Sequence, residues 1–180
     1  MAQNVLNLIN RSLVMIGTTP IQGLTDTCAE ASVMNDVYAG VRDGMLSAYA
    51  WQFASRLQDL QRVETPTDEG FVYALPNDML RLLQVFTHTY DMRGGLLYTG
   101  ASSVRVQYIF RPEETDFPAY FDTALVARLA AECCLPLTDS TTRTEFLYKQ
   151  AERELQKSRL IDASQLVNSA LDVGILTDIR

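Results

Sequence analysis

The sequence predicts a mainly α, α+β fold: a four-helix bundle with an inserted small antiparallel β-sheet and an extended C-terminal tail. Apolar residues recur at helical spacing in two segments before residue 50 and in two segments after residue 113. Between them, residues 55–111 are rich in β-branched and aromatic residues. We therefore expect a bundle of residues 1–54 and 113–165, a β region of residues 55–112 and a tail of residues 166–180.

The first helix is predicted over residues 4–16. Four apolar residues share one face at helical spacing: Val5, Ile9, Leu13 and Ile16. Gly17 follows them, and glycine readily adopts the left-handed conformation that ends many helices. A second helix is predicted to begin at Thr27, because Thr27 and Glu30 have the spacing of a capping box. Its apolar stripe continues at spacings of three and four: Met34, Tyr38, Val41, Met45 and Ala48.

The β region is predicted from a change of period. Apolar positions alternate with polar ones near its end: Val104, Val106, Tyr108 and Phe110, with Ile109 as the exception. Gly94 and Gly95 separate two β-like segments, and a tight hairpin turn needs residues that tolerate positive φ. These features indicate antiparallel strands.

Two further helices are predicted after the β region. The third runs from Phe121 to Leu135, with Thr115 or Asp116 as its cap and Pro136 as its end. It is apolar on most sides, so we expect it to be central. The fourth begins with a second capping box, formed by Thr142 and Glu145, and continues to about residue 163 with a narrow stripe: Leu147, Ala151 and Leu155.

The predicted tail is unusually apolar for a chain end. Seven apolar residues lie in its fifteen positions: Leu166, Val167, Leu171, Val173, Ile175, Leu176 and Ile179. At about 25 cal/mol per Å² of buried apolar area, covering half of them would contribute several kcal/mol. They are expected to pack on the protein's own core or on a neighbouring subunit or partner. Gly174 and the scattered apolar spacing favour the second arrangement, an extended docking strand.

Composition narrows the functional classes. The net charge of −7 and the pI near 4.7 argue against a protein that coats DNA, but they allow one through which DNA passes. Three cysteines, two of them adjacent, do not form a disulfide framework and indicate a reducing compartment. We see no signal peptide and no membrane-spanning segment, and we expect synthesis in the cytoplasm.

No catalytic, metal or cofactor pattern stands out. His88 is the sole histidine and lies on a predicted strand, with no recognisable nucleophile partner. Cys133 and Cys134 point about 100° apart on a helix, so they are poorly placed to bind one ion, and Cys28 is distant. Gly94 and Gly95 lack the frame of a phosphate-binding loop. We expect no enzyme activity and no cofactor.

Three carboxylates, Glu113, Glu114 and Glu132, could in principle be structural or catalytic. Arg128 and Glu132 are four residues apart, which predicts a partly buried ion pair. The alternative makes Glu132 the general acid of a cell-wall glycosidase, which would require a second carboxylate across a cleft. Glu113 and Glu114 are predicted to favour the N-terminal dipole of the third helix. A regulatory or nucleic-acid-binding helical module is a further alternative, and the acidic charge opposes it.

Three segments in the first half of the chain form an ordered set of motifs: "NRSLVMIGTTPIQGLTD", "YAGVRDGMLSAYAWQFASRL" and "YALPNDMLRLLQV". The residues that define them are Asn10, Arg11, Ile16, Gly17, Pro20, Ile21, Tyr38, Arg42, Leu46, Trp51, Phe53, Ala54, Arg56, Leu75, Pro76, Asp78, Leu80 and Arg81. In their order and spacing, these motifs resemble the head–tail adaptor, or head-completion, proteins of short-tailed bacteriophages (the tail tubular protein A type).

The resemblance implies a structural role in the virion, with assembly in the host cytoplasm. Members form a ring, typically of twelve subunits, below the portal protein, and they carry the tail tube or nozzle while DNA passes through the lumen. Trp51 and Phe53 would then join the bundle to the β region. Arg42 and Arg56 would flank this junction and form fixed ion pairs in the bundle.

Overall fold

The computed structural model describes residues 2–67, 70–87 and 89–167. The protein is mixed α+β, with four helices and two small antiparallel sheets. The elements, in chain order, are α1 (Ala2–Ile16), α2 (Ala29–Ala48), β1 (Ser55–Asp59), β2 (Gln61–Thr67), β3 (Gly70–Ala74), β4 (Met79–Val85), β5 (Asp91–Arg93), β6 (Leu96–Thr99), β7 (Arg105–Phe110), a short 3₁₀ turn (Glu114–Asp116), α3 (Ala119–Thr138) and α4 (Thr141–Val167).

The chain divides into two compact units. Within the described residues, the helical unit comprises residues 2–45, Trp51–Phe53 and residues 112–167. The β unit comprises Leu46–Ala50 and Ala54–Arg111. The short segment of residues 51–53 thus belongs to the helical unit, although its neighbours on both sides in the sequence belong to the β unit.

The helical unit is organised around α3. This helix contacts both α1 and α4, and ten of its residues are buried. The buried residues of α1 recur at helical spacing and lie on the face that the sequence predicted: Leu8, Ile9, Leu13 and Ile16. Val5, also predicted on this face, is half-buried. The central position predicted for the third helix is therefore confirmed.

The starts of α2, α3 and α4 and the end of α3 differ from the prediction. Pro136 does not end α3 but lies inside its last turn, since the φ of proline is itself helical. The helix ends at Thr138, and the C-cap residue Asp139 adopts φ 52° and donates its N–H to the carbonyl of Leu135. The cap of α4 is Ser140, whose hydroxyl accepts a bond from the N–H of Arg143 at 3.4 Å.

The second helix begins slightly later than its capping box predicted. Its first backbone bond runs from the N–H of Ser32 to the carbonyl of Cys28, which makes Cys28 the residue at the cap instead of Thr27. Likewise, the residue before α3 is Pro118, not Thr115 or Asp116. Which residue caps a helix depends on the backbone angles of one or two residues, and sequence spacing alone does not determine these angles.

The β unit holds two sheets, whereas the sequence predicted one. The strand orders are β1-β7-β4 and β2-β3-β6-β5, with every pairing antiparallel. Leu60, a buried residue between β1 and β2, donates its N–H to the carbonyl of Val104 beside the β1–β7 pairing. One apolar core draws on both sheets: Leu60, Tyr73, Val85, Leu97, Val104, Val106 and Tyr108.

The predicted hairpin and alternation are confirmed. Gly94 (φ 58°) and Gly95 (φ 79°) join β5 to β6, where Arg93 pairs with Leu96. Both turn residues take positive φ, as a two-residue hairpin turn of this type requires. In β7, Val106 and Tyr108 are buried while Arg105 is exposed, and Ile109 is buried on the opposite face.

The predicted tail is described only at its start. Leu166 and Val167 are the last two residues of α4, so the helix extends past the predicted tail boundary. The other five residues of the docking prediction lie outside the described residues, as does His88. Among residues 2–67, 70–87 and 89–167, no helix has both the length and the hydrophobicity needed to cross a bilayer.

Candidate functional site

Trp51 is a core residue of the helical unit. Its side chain is fully buried, and its ring meets Phe121 of α3 edge-on at a centroid distance of 5.2 Å. Phe53 lies 5.8 Å from Trp51 and 5.0 Å from Phe121. The indole N–H donates to the carbonyl of Met45 at 2.9 Å, so the polar end of this large side chain is also satisfied.

A buried carboxylate fastens the same segment to α4. Asp162 is fully buried and accepts the backbone N–H of Gln52 at 2.9 Å and the hydroxyl of Tyr120 at 2.8 Å. Burial and the neighbouring Asp162 raise the pKa of Tyr120. Residues 51–53 are therefore held by aromatic packing and by charge-assisted hydrogen bonds. No sequence pattern pointed to Asp162.

Arg42 forms the fixed ion pairs expected for it. Its guanidinium lies 2.7 Å from Glu114 and 2.9 Å from Asp43, with 15% of the side chain exposed. Tyr38 donates a long bond of 3.4 Å to the same Glu114 oxygen, and burial together with the charge of Glu114 raises the pKa of Tyr38. Asn4 donates its side-chain N–H to the backbone carbonyl of Glu114 at 2.6 Å.

The role predicted for Glu114 is corrected by this cluster. Glu114 lies in the 3₁₀ turn before α3 and is buried, and its carboxylate serves Arg42 and Tyr38 instead of the α3 dipole. Glu113 lies at the N-terminal side of that turn and is exposed. The partner of Glu114 is 72 residues away in the chain, which local spacing cannot reveal.

Arg56 also forms an ion pair, within the β unit and not in the predicted bundle. Its guanidinium lies 2.9 Å from Asp78 and 3.9 Å from the centroid of the Phe110 ring. Nearly half of its side chain is exposed, so this contact is weaker than that of Arg42. Arg42 and Arg56 thus belong to separate clusters.

The predicted pair of Arg128 and Glu132 is present on α3. The two side chains approach to 2.6 Å, and the hydroxyl of Tyr148 donates to the other Glu132 oxygen at 2.8 Å. The Arg128 guanidinium also lies 5.1 Å from the centre of the Tyr148 ring. Both Glu132 oxygens are therefore engaged by neighbours, as in a structural ion pair.

The cysteines occupy packing positions. Cys133 and Cys134 are fully buried and Cys28 is partly buried. Burial raises the pKa of the Cys133 thiol to about 12, and its sulfur lies 3.4 Å from that of Met34. Within the part of the chain that the structure describes, no group of three or more His, Cys, Asp and Glu residues could hold a metal ion.

The outward surface of α4 carries exposed apolar side chains. Phe146 is 64% exposed, Leu160 is 72% exposed and Ile161 is 47% exposed. At about 100° per residue, these three lie within roughly 60° of one direction, together with Lys149, Arg153 and Lys157. We call these six residues the α4 outer face. Phe146 lies about 21 Å along the helix from Leu160 and Ile161, so the apolar groups mark the two ends of this face. Large exposed apolar side chains on one side of a helix are typical of surfaces that meet another chain.

Charge is unevenly distributed along the chain. Residues 54–111 contain six arginines and six acidic residues, so the net charge of −7 comes from the remaining segments. Both lysines of the chain, Lys149 and Lys157, lie on the α4 outer face. This face is therefore a cationic, partly apolar patch on an otherwise acidic set of helices.

No protein-family model matches the chain, and no curated protein matches it significantly. The described residues contain buried packing clusters, ion pairs and the exposed, amphipathic α4 outer face.

Proposed function

We propose that the protein is a structural virion component that forms a ring between the portal protein and the tail. In this role it completes the head, extends the DNA channel and supports the tail tube or nozzle. The observation that carries the proposal is the α4 outer face, which exposes Phe146 and Leu160 on a helix that packs on α3 with its opposite side. Exposed apolar faces of this kind are typical of surfaces that bind another protein chain.

The helical unit would form the body of each subunit as a four-helix bundle. Its buried clusters suit a part that must stay rigid under load, because Trp51, Phe53 and Asp162 fix the 51–53 segment against α3 and α4. The motifs that resemble the adaptor family include Arg42, whose ion pair with Glu114 helps to hold this body together. We place the assembled ring in the virion and its assembly in the host cytoplasm.

An acidic ring suits the passage of DNA. A lumen that repels phosphates lets a duplex slide without adhering, whereas a basic lumen would retain it. The balanced charge of residues 54–111 and the acidic remainder of the chain are consistent with this requirement. Twelve copies would multiply the net charge and strengthen the effect.

The apolar C-terminal residues would dock on the portal protein. We expect a variant that ends at residue 167 to remain folded, because it keeps every described residue of α4, and to lose binding to the portal protein encoded near it. Co-purification of the two proteins, with the full chain as the control, measures this. If the shortened chain binds the portal protein at full stoichiometry, the C-terminal residues are not the docking segment. The ring proposal would then need its own test.

The glycosidase alternative has a direct test. It needs Glu132 as a general acid, but both Glu132 oxygens are engaged by Arg128 and Tyr148. We expect purified peptidoglycan to remain intact with the wild-type protein. Turnover that is lost on Glu132→Gln would favour the enzyme instead.

A further inference from the structure

The side chains of the α4 outer face indicate what kind of partner surface would cover it. Between Phe146 and Ser164, the residues within about 60° of Phe146 include three cations and no carboxylate. Phe146, Leu160 and Ile161 project bulky apolar groups from the same side. Lys157 already pairs with Glu154 at 2.7 Å, so Lys149 and Arg153 contribute most of the uncompensated positive charge. An acidic partner with small side chains where the apolar groups approach would fit this face.

α2 of this same chain has both properties. Its exposed residues are all small: Ala29, Ser32, Asn35, Asp36, Ala39, Gly40, Gly44 and Ala48. We call Ser32, Asp36, Ala39 and Gly40 the α2 outer face, since they lie on adjacent turns of one side. Its charge is negative, because the only cation of α2, Arg42, is largely buried in ion pairs.

Gly40 adds an independent observation. Glycine inside a helix destabilises it relative to alanine, so an interior glycine usually has a reason. A Cβ added at Gly40 would meet nothing within 4 Å, and its φ is not left-handed. No packing contact within one copy therefore requires glycine at Gly40, or at Gly44, which is equally open. Glycine at an exposed position permits the close approach of a second helix, because the distance between packed helices depends on the side chains at their contact.

We propose that the α4 outer face of one copy packs against the α2 outer face of a second copy. Phe146 and Leu160 lie about 21 Å apart along α4, so one of the two would lie over Ala39 and Gly40 while the lysine nearest to it faces Asp36. The two faces differ, so the contact is heterologous and repeats from copy to copy until a ring closes. This inference rests on the proposed ring function and specifies which surfaces form the ring.

Carbodiimide cross-linking tests the contact directly, because it joins amines to carboxylates that touch. The chain has only two lysines, both on the α4 outer face, so each link is assigned easily. Unlabelled and ¹⁵N-labelled protein are mixed before the reaction, and a peptide with one light and one heavy half comes from two copies. We expect mixed peptides that join Lys149 or Lys157 to Asp36, and their loss in Asp36→Asn.

The same reaction in the presence of the portal protein separates the two proposals. If the complex forms and the lysines link only to portal carboxylates, the α4–α2 contact is wrong and the ring function stands. If mixed peptides link the lysines only to carboxylates outside α2, the contact is equally wrong. If there is neither a mixed peptide nor a complex with the portal protein, both proposals fall.

Blocked variants test the head-to-tail arrangement. Lys149→Glu/Lys157→Glu blocks the α4 outer face, and Gly40→Leu blocks the α2 outer face, where open space lets the side chain be accommodated. We expect each variant alone to stay monomeric and folded, and their mixture to form a 1:1 dimer that grows no further. A mixture without dimers would show that the contact is not between these two faces.

Two matched variants control for general effects of charge and bulk. Glu152→Lys reverses a charge on an exposed α4 position outside the outer face, and Thr123→Leu adds bulk to an exposed position of α3. Both are expected to associate like the wild type in native mass spectrometry. Association lost equally in these controls would overturn the assignment of the two faces.

Discussion

Arg42 of α2 and Glu114, 72 residues apart in the chain, form an ion pair of 2.7 Å inside the helical unit. Both side chains are at least 85% covered, and Tyr38 and Asn4 complete the hydrogen bonding of Glu114. This pair links α2 to the turn that precedes α3. Removing one partner of a covered ion pair leaves the other charge uncompensated, which lowers the free energy of unfolding.

We expect Arg42→Ala to lower the free energy of unfolding by about 2–4 kcal/mol, because Glu114 is then left covered without its cation. Glu114→Gln should cost less, since the amide oxygen still accepts a bond from the guanidinium. Urea denaturation measures both. Arg56→Ala, which breaks an exposed pair, is the matched control and should cost less than about 1 kcal/mol from the ion pair. Equal losses for Arg42→Ala and Arg56→Ala would contradict the covered environment of Arg42.

Trp51→Ala is predicted to destabilise the protein by about 3–5 kcal/mol, because it empties a fully enclosed site against Phe121. Trp51 is the only tryptophan, so its fluorescence reports on this site alone. We expect a blue-shifted emission that acrylamide quenches weakly until the protein unfolds. Emission at the wavelength of free indole in the native protein would place Trp51 in water.

Tyr120→Phe is expected to weaken the attachment of residues 51–53 to α4. The variant removes the hydroxyl that donates to Asp162, and it leaves the bond from the Gln52 N–H in place. The loss should be about 1–3 kcal/mol, typical of a hydrogen bond to a charged group. Hydrogen exchange at the Gln52 amide should become faster. Unchanged exchange would indicate that Tyr120 does not contribute to this attachment.

Stability should fall as the pH rises above about 9. The pKa of Cys133 is raised by burial from 9.0 to about 12, so the unfolded thiol loses its proton before the folded one. The folded state then binds more protons, and the free energy of unfolding decreases between pH 9 and pH 12. The buried tyrosines act in the same direction at higher pH, because their pKa values are also raised.

Cys133→Ala isolates the contribution of this thiol. Its stability should decline less between pH 9 and pH 10 than that of the wild type, whatever the cost of the smaller side chain at neutral pH. Reaction with a thiol reagent gives a second readout, in which Cys28 reacts first and the two buried cysteines require unfolding. Three thiols that react at one rate in the native protein would contradict the burial of Cys133.

Much of the fold was predictable, because element order follows from periodicity. The helices, the Gly94–Gly95 hairpin and the Arg128–Glu132 pair all depend on residues close in sequence. The caps of α2 and α4 and the passage of α3 through Pro136 depend on backbone angles that spacing does not fix. The single predicted sheet is in fact two, because β1 and β4 pair with β7, which is distant in the sequence, and local composition does not reveal such pairings.

The anchors of the candidate site were less predictable. Glu114 and Asp162 find their partners 72 and 110 residues away, so only the folded chain brings them together. The apolar residues of α4 were also obscure, because Leu160 and Ile161 look like core residues in the sequence but are exposed. A signal was present nevertheless: both lysines fall on the same side of one helix as Phe146.

If the protein forms the proposed ring, that ring should not retain DNA at moderate salt, because its net charge repels phosphate. A gel-shift assay with a long duplex, on protein alone and on protein bound to the portal, measures this. We expect free migration of the duplex in both cases above low ionic strength. Stable retention at moderate salt would mean that the assembled lumen is not repulsive.

The most direct test of the adaptor role is native mass spectrometry of this protein co-expressed with the portal protein encoded near it. We predict one discrete complex that contains equal numbers of both chains, which would also give the symmetry of the ring. Two separate species, with this chain alone and monomeric, would contradict the role of a ring that joins the portal to the tail.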